Sequence, residues 1–340
     1  MSITTVETVE GARSGEPAPP MSPTRGLIRA VLRVHRSALW FWGLLVLLTA
    51  AALLWAAGPG VDAAWAEYRA GDCASSDYCE VGPAYTLYDR AVTFGTAVLA
   101  VAPVLIGAWA GGALIGRELE SGTARLSWTQ SVTPARWLAA KLAVPAALIV
   151  SGTVLLTLLH RLLWSSDADL RRALGTRDWF QSTTFPANGT VATACALFGL
   201  ALGVFAGLLL RRSLPALAAG LLGTAVLTIA LQTNRHLLWP VETLVSKTAE
   251  RDWTGELVDR GFVTATGERV SDVACTDDSC GRADAVSFYA DFHPSSHFWP
   301  LQLVETAILL TATALLVLAS FHLLRRLTGG GTSPRTGGGA

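Results

Sequence analysis

Charged residues are scarce in this sequence. They make up 15% of its 340 residues, whereas a soluble domain carries about 25%. Long uncharged runs alternate with short segments that hold nearly all of the Asp, Glu and Arg. Such alternation is typical of a chain whose surroundings change repeatedly from lipid to water. The net charge is zero, so the composition gives no indication of a nucleic-acid partner.

Two sequence features that would point to particular functions are also missing. The sequence has no G-x-x-x-x-G-K-[S/T] motif, and its two lysines, Lys141 and Lys247, lie in other contexts. We therefore do not expect this chain to bind ATP through a P-loop. The first 20 residues contain Glu7, Glu10 and Glu16 but no apolar stretch, which predicts that a cleavable signal peptide is absent.

Six apolar runs are long enough to cross a membrane. A spanning helix needs about 20 residues, and the only acid within the six runs is Glu305, near one end of the last. We therefore predict an all-α membrane protein built as a bundle of six transmembrane helices within residues 38–327. The predicted spans are about 38–57, 91–115, 138–159, 189–210, 214–231 and 300–324.

The distribution of basic residues predicts the orientation of the bundle. With a cytoplasmic N-terminus, the cytoplasmic segments hold 14 of the 26 Lys and Arg but only 5 of the 26 Asp and Glu. Because Lys and Arg concentrate in cytoplasmic loops, both termini are predicted to lie inside. The outer loops are then 58–90, 163–188 and 233–298. The abundance of Ala, Gly and Arg suggests a bacterial protein, and hence the cytoplasmic (inner) membrane.

The segments outside the bundle differ in character. Residues 1–22 are predicted to be disordered and residues 328–340 to form a flexible, Gly-rich tail. Residues 23–37 are predicted to form an amphipathic helix at the membrane interface, although an extension of the first spanning helix is an alternative. The arginines that recur at helical spacing in this segment are Arg25, Arg29, Arg33 and Arg36.

The first and last outer loops are predicted to fold into small lobes. In the last loop, β-like runs occur at about 261–266, 270–274 and 286–289. The two loops also hold four of the five cysteines, in the closely spaced pairs Cys73/Cys79 and Cys275/Cys280. In an oxidising compartment this arrangement favours disulfides within each pair, although pairing between the loops stays open.

A metal site in the last outer loop is the weaker alternative for these residues. The H-x-x-x-H spacing it would use is common by chance, and Pro294 argues against a helix there. We therefore expect no metal site, and no cofactor bound by this chain. The additional ligands would be Asp277, Asp278, His293 and His297.

Small residues recur at four-residue spacing in two of the predicted helices. Gly199, Gly203 and Gly207 lie in the fourth helix, and Gly107/Gly111 and Gly112/Gly116 in the second. Glycines on one helix face let two backbones approach closely in a membrane. They predict tight packing within the chain, with dimer formation as the alternative.

An intramembrane enzyme would need reactive groups that face a wet cavity at membrane depth. The candidates are Glu305, His160, His322 and Cys195. The first three lie near predicted helix ends, where they can reach water, and Cys195 is predicted to be a buried apolar residue. No Ser/His or paired-Asp arrangement is present, so we predict no catalytic residues and no enzymatic activity.

The segment between the second and third predicted helices is the most informative. Arg117–Ser121 is expected to continue the second helix into water, and Gly122 suits a helix stop. Residues 123–130 are predicted to form a short amphipathic turn with Leu126 and Trp128 on one side. Thr133 and Pro134 fit the N-cap and first position of the next helix. A short, rigid, partly apolar element of this kind is suited to docking a soluble partner.

This segment resembles the corresponding loop of ABC-2 type permeases, the membrane subunits of ABC exporters. The family pattern is an acidic residue, a Gly-Thr step, a Leu, then Pro-x-Arg and a Lys that enters the next helix. The basic pre-helix, the six-helix count and the inside N-terminus also fit the family. The matching residues are Glu118 or Glu120, Gly122, Thr123, Leu126, Pro134, Arg136 and Lys141.

The resemblance implies a two-permease, two-ATPase exporter in which this chain is the permease domain. Residues 117–136, including Arg117 and Trp128, would form the coupling element that receives motion from a separate P-loop ATPase, and ATP would be bound by that partner. The second permease would be another copy or a paralogue, and the cargo an unidentified small or lipid-like molecule. An ATPase-independent channel or a structural partner of an envelope complex is the alternative.

Overall fold

The computed structural model describes residues 23–73, 82–129, 132–247, 254–272 and 285–329. The segments predicted as a disordered N-terminus, 1–22, and most of the predicted tail, 330–340, lie outside the described residues. So do Cys79, Cys275 and Cys280.

Helices account for most of the described chain. The short ones are α1 (Pro23–Val34), α3 (Val61–Ala70), α5 (Arg117–Glu120), α6 (Thr123–Thr129), α8 (Ala168–Leu174) and α9 (Thr184–Ala187). The long ones are α2 (Arg36–Trp55), α4 (Pro83–Trp109), α7 (Pro134–Ser166), α10 (Val191–Leu210), α11 (Ser213–Thr233) and α12 (Phe298–Thr328).

Six helical segments in the described chain are long and apolar enough to cross a membrane, and the prediction of a multi-pass, mainly helical membrane protein is confirmed. They are Arg36–Ala70, Pro83–Glu120, Pro134–Ser166, Val191–Leu210, Ser213–Thr233 and Ser295–Thr328. The end of the bundle that carries the segment 117–133 is called the loop end below, and the opposite end is called the lobe end.

The first two spanning helices each continue through a π-helical segment. The continuation of the first one was not predicted, whereas that of the second through Arg117–Glu120 was predicted from the sequence. Ala56–Gly60 joins α2 to α3, and Ala110–Gly116 joins α4 to α5. Pro59 lies within the first segment and has no N–H to donate, a defect that a wider helical turn accommodates. Much of the predicted outer loop 58–90 is therefore helical: α3 extends one spanning helix, and the next begins at Pro83.

The segment predicted as the last outer loop contains a small β-sheet, so the fold is a helical bundle with a β-lobe. Four antiparallel strands lie in the order β1-β4-β2-β3. Phe262 faces Phe288 across the central pair, and both Phe262 and Tyr289 are buried. The β-like run predicted at 286–289 lies within β4, and the runs at 261–266 and 270–274 overlap β2 and β3. The strands are β1 (Glu242–Ser246), β2 (Glu256–Thr264), β3 (Arg269–Ser271) and β4 (Ala285–His293).

Helix α10 lies at the centre of the bundle, where it packs against α4, α7, α11 and α12. Its glycines make this possible. A Cβ added to Gly199 would lie 2.4 Å from the Pro103 carbonyl oxygen, and one added to Gly203 would lie 2.4 Å from the Gly107 carbonyl oxygen. At Gly207 the nearest atom would be the Ile115 Cβ, at 2.7 Å. All three glycines thus face the second spanning helix of the same chain.

Helix α2 lies at the periphery and contacts mainly α4 and α7. Most of its large apolar side chains point away from the protein, as expected for a lipid-facing helix. The exposed ones are Trp40, Phe41, Leu44, Leu47, Leu48 and Leu54.

Candidate functional site

The segment between α4 and α7 folds into two short helices with a tight reversal between them. Helix α5 ends at Glu120, and Gly122 has a φ of +74° with no atom within 4 Å of an added Cβ. A left-handed conformation at this point suits glycine and ends the helix. Helix α6 begins at Thr123, whose hydroxyl donates a hydrogen bond to the Glu118 carbonyl oxygen over 3.3 Å.

Glu118 connects this segment to α7 through a buried ion pair. Its Oε1 lies 2.5 Å from the Nζ of Lys141, a side chain that is only 4% exposed. The same Nζ lies 3.0 Å from the Nε2 of His35, at the junction of α1 and α2. Burial, followed by the positive charge of Lys141, lowers the pKa of His35 to about 4. His35 is therefore neutral at neutral pH, and its Nε2 accepts from the ammonium group.

Glu120 connects the same segment to a different helix. Its Oε2 accepts hydrogen bonds from the backbone N–H of Ser213, at 2.9 Å, and from the Ser213 hydroxyl, at 2.6 Å. Ser213 is the first residue of α11. A carboxylate at this position satisfies one of the unpaired N–H groups of the helix and interacts favourably with its dipole.

Helix α6 presents its two large apolar residues to different surroundings. Trp128 packs edge-on against Trp137 of α7, with ring centroids 5.7 Å apart, whereas Leu126 is 63% exposed. The prediction that both lie on one side was therefore wrong. Residues two positions apart on an α-helix are rotated by about 200° about the helix axis, so the side chains of Leu126 and Trp128 point in nearly opposite directions. Trp128 anchors α6 to the bundle, and Leu126 remains available to a partner.

Helix α7 begins as the sequence predicted. Thr133 is the N-cap, its hydroxyl accepts from the backbone N–H of Arg136 over 3.4 Å, and Pro134 is the first helical residue. The Arg136 side chain is exposed at the loop end, as is that of Arg117.

Two neighbouring cavities lie beside this segment. The first, of about 930 Å³, lies between the start of α2 and the α5–α6 segment, and its lining includes His35, Arg117 and Glu118. We call it the polar chamber. The second, of about 350 Å³, lies between α2, α4 and α7, and its lining residues are all apolar in type. We call it the apolar groove. The two share the lining residues Ala38, Phe41 and Trp109.

Comparison with known proteins assigns the family. The sequence profile of the family described as ABC-2 membrane transporter related matches residues 44–235, which is more than half of the chain. This chain belongs to that family. The match runs from α2 to the turn after α11 and includes the whole 117–133 segment, whereas the β-lobe lies outside it. No curated protein matched the chain, and no solved structure matched it either.

At the lobe end of this ABC-2 family member, Glu305 lies near the start of α12, as predicted, but it is buried and paired and does not reach water. Its Oε1 lies 2.6 Å from the Nε of Arg235, and the two side chains are 1% and 3% exposed. The Arg235 guanidinium also lies 3.8 Å from the centroid of the Phe185 ring. Sequence reasoning missed Arg235, which follows α11 directly. An arginine beside the end of one apolar helix and an acid near the end of another was the available signal.

The other candidate reactive groups of the permease lie in different surroundings. His160 is buried, with its Nε2 3.1 Å from the Thr96 hydroxyl and its Nδ1 2.9 Å from the Asn188 Oδ1. Cys195 is a free, buried thiol, and His322 is exposed. Cys195 lines a small cavity together with Arg235 and Glu305.

The predicted disulfides and the alternative metal site depend largely on residues outside the described part of the permease. Cys79, Cys275 and Cys280 lie there, so both disulfides stay predictions. Of the alternative metal ligands, His293 and His297 are described, and their Nδ1 atoms lie 3.1 Å apart. Within the described residues, no group of three or more His, Cys, Asp or Glu side chains could hold a metal ion.

Proposed function

We propose that this chain is the membrane-spanning permease subunit of an ABC exporter, and that α6 docks a separate P-loop ATPase on the cytoplasmic side. The observation that carries the proposal is the contrast within the 117–133 segment. Its acidic residues and Trp128 fasten it to the bundle, while Leu126 is left exposed. An exposed apolar side chain on a firmly held short helix is suited to a partner's pocket.

The contacts of the segment give a physical route for the motion of the ATPase. A displacement of α6 reaches α7 through the Trp128–Trp137 contact, and a displacement of α5 reaches α11 through Glu120 and Ser213. Helices α7 and α11 both pack against the central α10. Movement of the ATPase would therefore change the packing of three spanning helices, as alternating access requires.

Several features of the proposal rest on family membership. An outward direction of transport, a second permease copy or paralogue and an inside N-terminus are all typical of ABC-2 exporters as a class. The charge distribution supports the orientation independently, because the basic residues concentrate at the loop end.

The proposal is tested by co-purification from the native host. A Leu126→Arg variant places a charge where a partner pocket would take an apolar group, and we expect recovery of the ATPase to fall roughly tenfold or more. The matched control is Leu237→Arg, because Leu237 is 70% exposed and lies at the lobe end. The control should retain the ATPase, and both variants should stay monodisperse in detergent.

Two results would contradict the proposal. Equal recovery of the ATPase with Leu126→Arg and wild type would exclude α6 as the docking surface. If wild type recovers no P-loop ATPase in several mild detergents, the alternative of an ATPase-independent membrane protein takes its place.

A further inference from the structure

The polar chamber and the apolar groove adjoin each other at Ala38, Phe41 and Trp109, and their linings differ in chemistry. Together they are called the cleft below. The groove lies between α2, α4 and α7, and the Nε1–H of Trp42, one of its two lining tryptophans, donates to the Leu148 carbonyl oxygen at 3.1 Å. The chamber, by contrast, is lined by charged and hydroxyl-bearing residues of α5 and α6 as well as by α2. A ligand that fills both must therefore be amphipathic.

The length of the groove is about two-thirds of the thickness of the hydrocarbon layer in one leaflet. Its lining on α2 runs from Ala38 to Leu45, and its lining on α4 runs from Trp109 back to Ala102. Seven residues of helix span about 10 Å, whereas half of the hydrocarbon core is about 15 Å thick. The groove thus begins at the chamber and extends through most of one leaflet.

The groove is also open at its side, where a lipid chain could enter. Phe41 and Leu105 line it. The Phe41 side chain is 64% exposed and that of Leu105 is 50% exposed. Its volume of about 350 Å³ falls at the lower end of the range for ligand sites, which is about 300–1,000 Å³. These dimensions suit an acyl chain better than a bulky rigid molecule.

The charges that line the chamber do not cancel. Glu118 is paired with Lys141, and His35 accepts from the same ammonium group as a neutral ring. Arg117 lines the chamber and has no ion-pair partner among the described residues. One positive charge is therefore available to a ligand at the level where a head group would lie.

The surroundings of the cleft favour the same class of ligand. The exposed arginines Arg25, Arg33 and Arg36 of α1 and the start of α2 lie at this end of the bundle, where they would attract anionic lipid. They would raise the local concentration of anionic amphiphiles in the adjoining leaflet.

We propose that this cleft binds a membrane amphiphile with an anionic head group, its acyl chain in the apolar groove and its head group beside Arg117. Binding itself does not depend on an ATPase. The further statement that this amphiphile is the transported cargo rests on the proposed function.

The test measures retention of two single-chain phospholipids by the full-length detergent-purified protein, using native mass spectrometry. The probes are lysophosphatidylglycerol, which is anionic, and lysophosphatidylcholine, which is zwitterionic. We expect wild type to prefer the anionic probe by roughly fivefold, the effect of one arginine near the head group. Arg117→Gln should abolish this preference, whereas Arg125→Gln, which changes an exposed arginine outside the chamber, should keep it.

A second pair of variants tests the groove. Ala38→Phe fills the junction of the chamber and the groove and should reduce retention of both probes at least fivefold. Ala51→Phe makes the same change at an exposed α2 position outside the cleft and should leave retention unchanged. Unfolding temperatures of the two variants are compared first, so that a folding defect is recognised.

Two outcomes would overturn the proposal: equal retention of the two probes by wild type, and unchanged retention by Ala38→Phe. If Ala38→Phe also loses a dimer in the second case, the groove is an interface between two copies. Loss of the ATPase in the co-purification experiment would leave these results unaffected, so the two proposals fail separately.

Discussion

Glu118 and Glu120 are two residues apart on α5, so their side chains point to nearly opposite sides of the helix. One pairs with Lys141 of α7, and the other accepts from Ser213 of α11. From the sequence, either acid could be the residue that matches the pattern of ABC-2 permeases. The structure gives both a partner, because one short helix lies between two spanning helices.

The pair formed by Glu118 and Lys141 leads to a stability prediction. Lys141→Met should lower the free energy of unfolding by on the order of 2 kcal/mol, because it leaves a largely buried carboxylate without its counter-charge. Adding Glu118→Gln to this variant should restore part of the loss. Thermal or denaturant unfolding of the purified protein measures both effects.

An exposed ion pair provides the comparison for Lys141→Met. Arg172 and Asp169 form a pair in α8, with both side chains about three-quarters exposed. Arg172→Met should change stability by less than about 1 kcal/mol, since solvent screens such pairs. If Lys141→Met were no more destabilising than Arg172→Met, the 118–141 pair would have no structural role.

The partners of Lys141 could not be predicted from the sequence. That Lys141 lies at the start of a spanning helix was visible from the sequence, and a buried charge needs a partner. Its partners, His35 and Glu118, are 106 and 23 residues away. Neither separation corresponds to a helical period, so only the packing of three helices identifies them.

At the scale of elements, the small-residue spacing in α10 and α4 predicted close helix packing but not its geometry. Gly107 lies between two neighbours: a Cβ added to it would lie 2.7 Å from the Gly220 carbonyl oxygen of α11, and its own carbonyl oxygen approaches Gly203 of α10. The motif indicates only that one face of the helix carries small residues. Which helices meet there depends on the whole bundle, and the sequence does not encode that locally.

This packing gives a prediction for two glycines in similar helices. Gly203→Ala should destabilise the protein by about 1–3 kcal/mol, because the new Cβ would lie 2.4 Å from the Gly107 carbonyl oxygen and 2.7 Å from the Gly111 nitrogen. Alanine is otherwise the better helix former by about 1 kcal/mol. Comparison of unfolding temperatures in one detergent measures the difference.

The control is Gly43→Ala in α2, where an added Cβ meets no atom within 4 Å. It should be neutral or stabilising. Equal effects of the two substitutions would mean that α10 and α4 do not pack as closely as described.

Other element-level features were only partly predictable. Apolar length located the six spanning helices, but the α2–α3 and α4–α5 rods continue past their apolar runs into sequence that contains charges. The α4–α5 continuation was predicted from the sequence. Hydropathy did not detect α3, because the π-helical segment Ala56–Gly60 keeps the helix intact through two glycines and a proline, which resemble a loop. In the lobe, β-propensity found parts of three strands but not β1, whose side chains are largely exposed.

At the scale of the whole molecule, the two ends of the bundle differ in packing. The lobe end is fastened by buried polar groups: Arg235 with Glu305, and Asp167 with the Tyr88 hydroxyl and Arg171 at 2.6 and 2.7 Å. The loop end has a buried ion pair of its own, Glu118 with Lys141, but it also contains the polar chamber and the apolar groove. Under the proposed function this corresponds to a conformation that is open toward the loop end and closed toward the lobe end.

Orientation in the membrane is the whole-molecule property on which this interpretation depends. The basic residues of α1 and of the 117–136 segment predict that the loop end is cytoplasmic, and the acidic β-lobe would then lie outside. Two exposed positions report on the two ends. Ser121 lies between α5 and α6, and Thr266 lies in the turn between β2 and β3.

Cysteine labelling in whole cells decides the orientation. After the five native cysteines are replaced, a membrane-impermeant maleimide should label Thr266→Cys in intact cells. It should label Ser121→Cys only after permeabilisation, since the bilayer separates the reagent from that end. The reverse pattern would place the 117–133 segment outside, where no ATP-driven partner could reach Leu126. It would contradict the exporter proposal, while the lipid-binding cleft would then adjoin the outer leaflet.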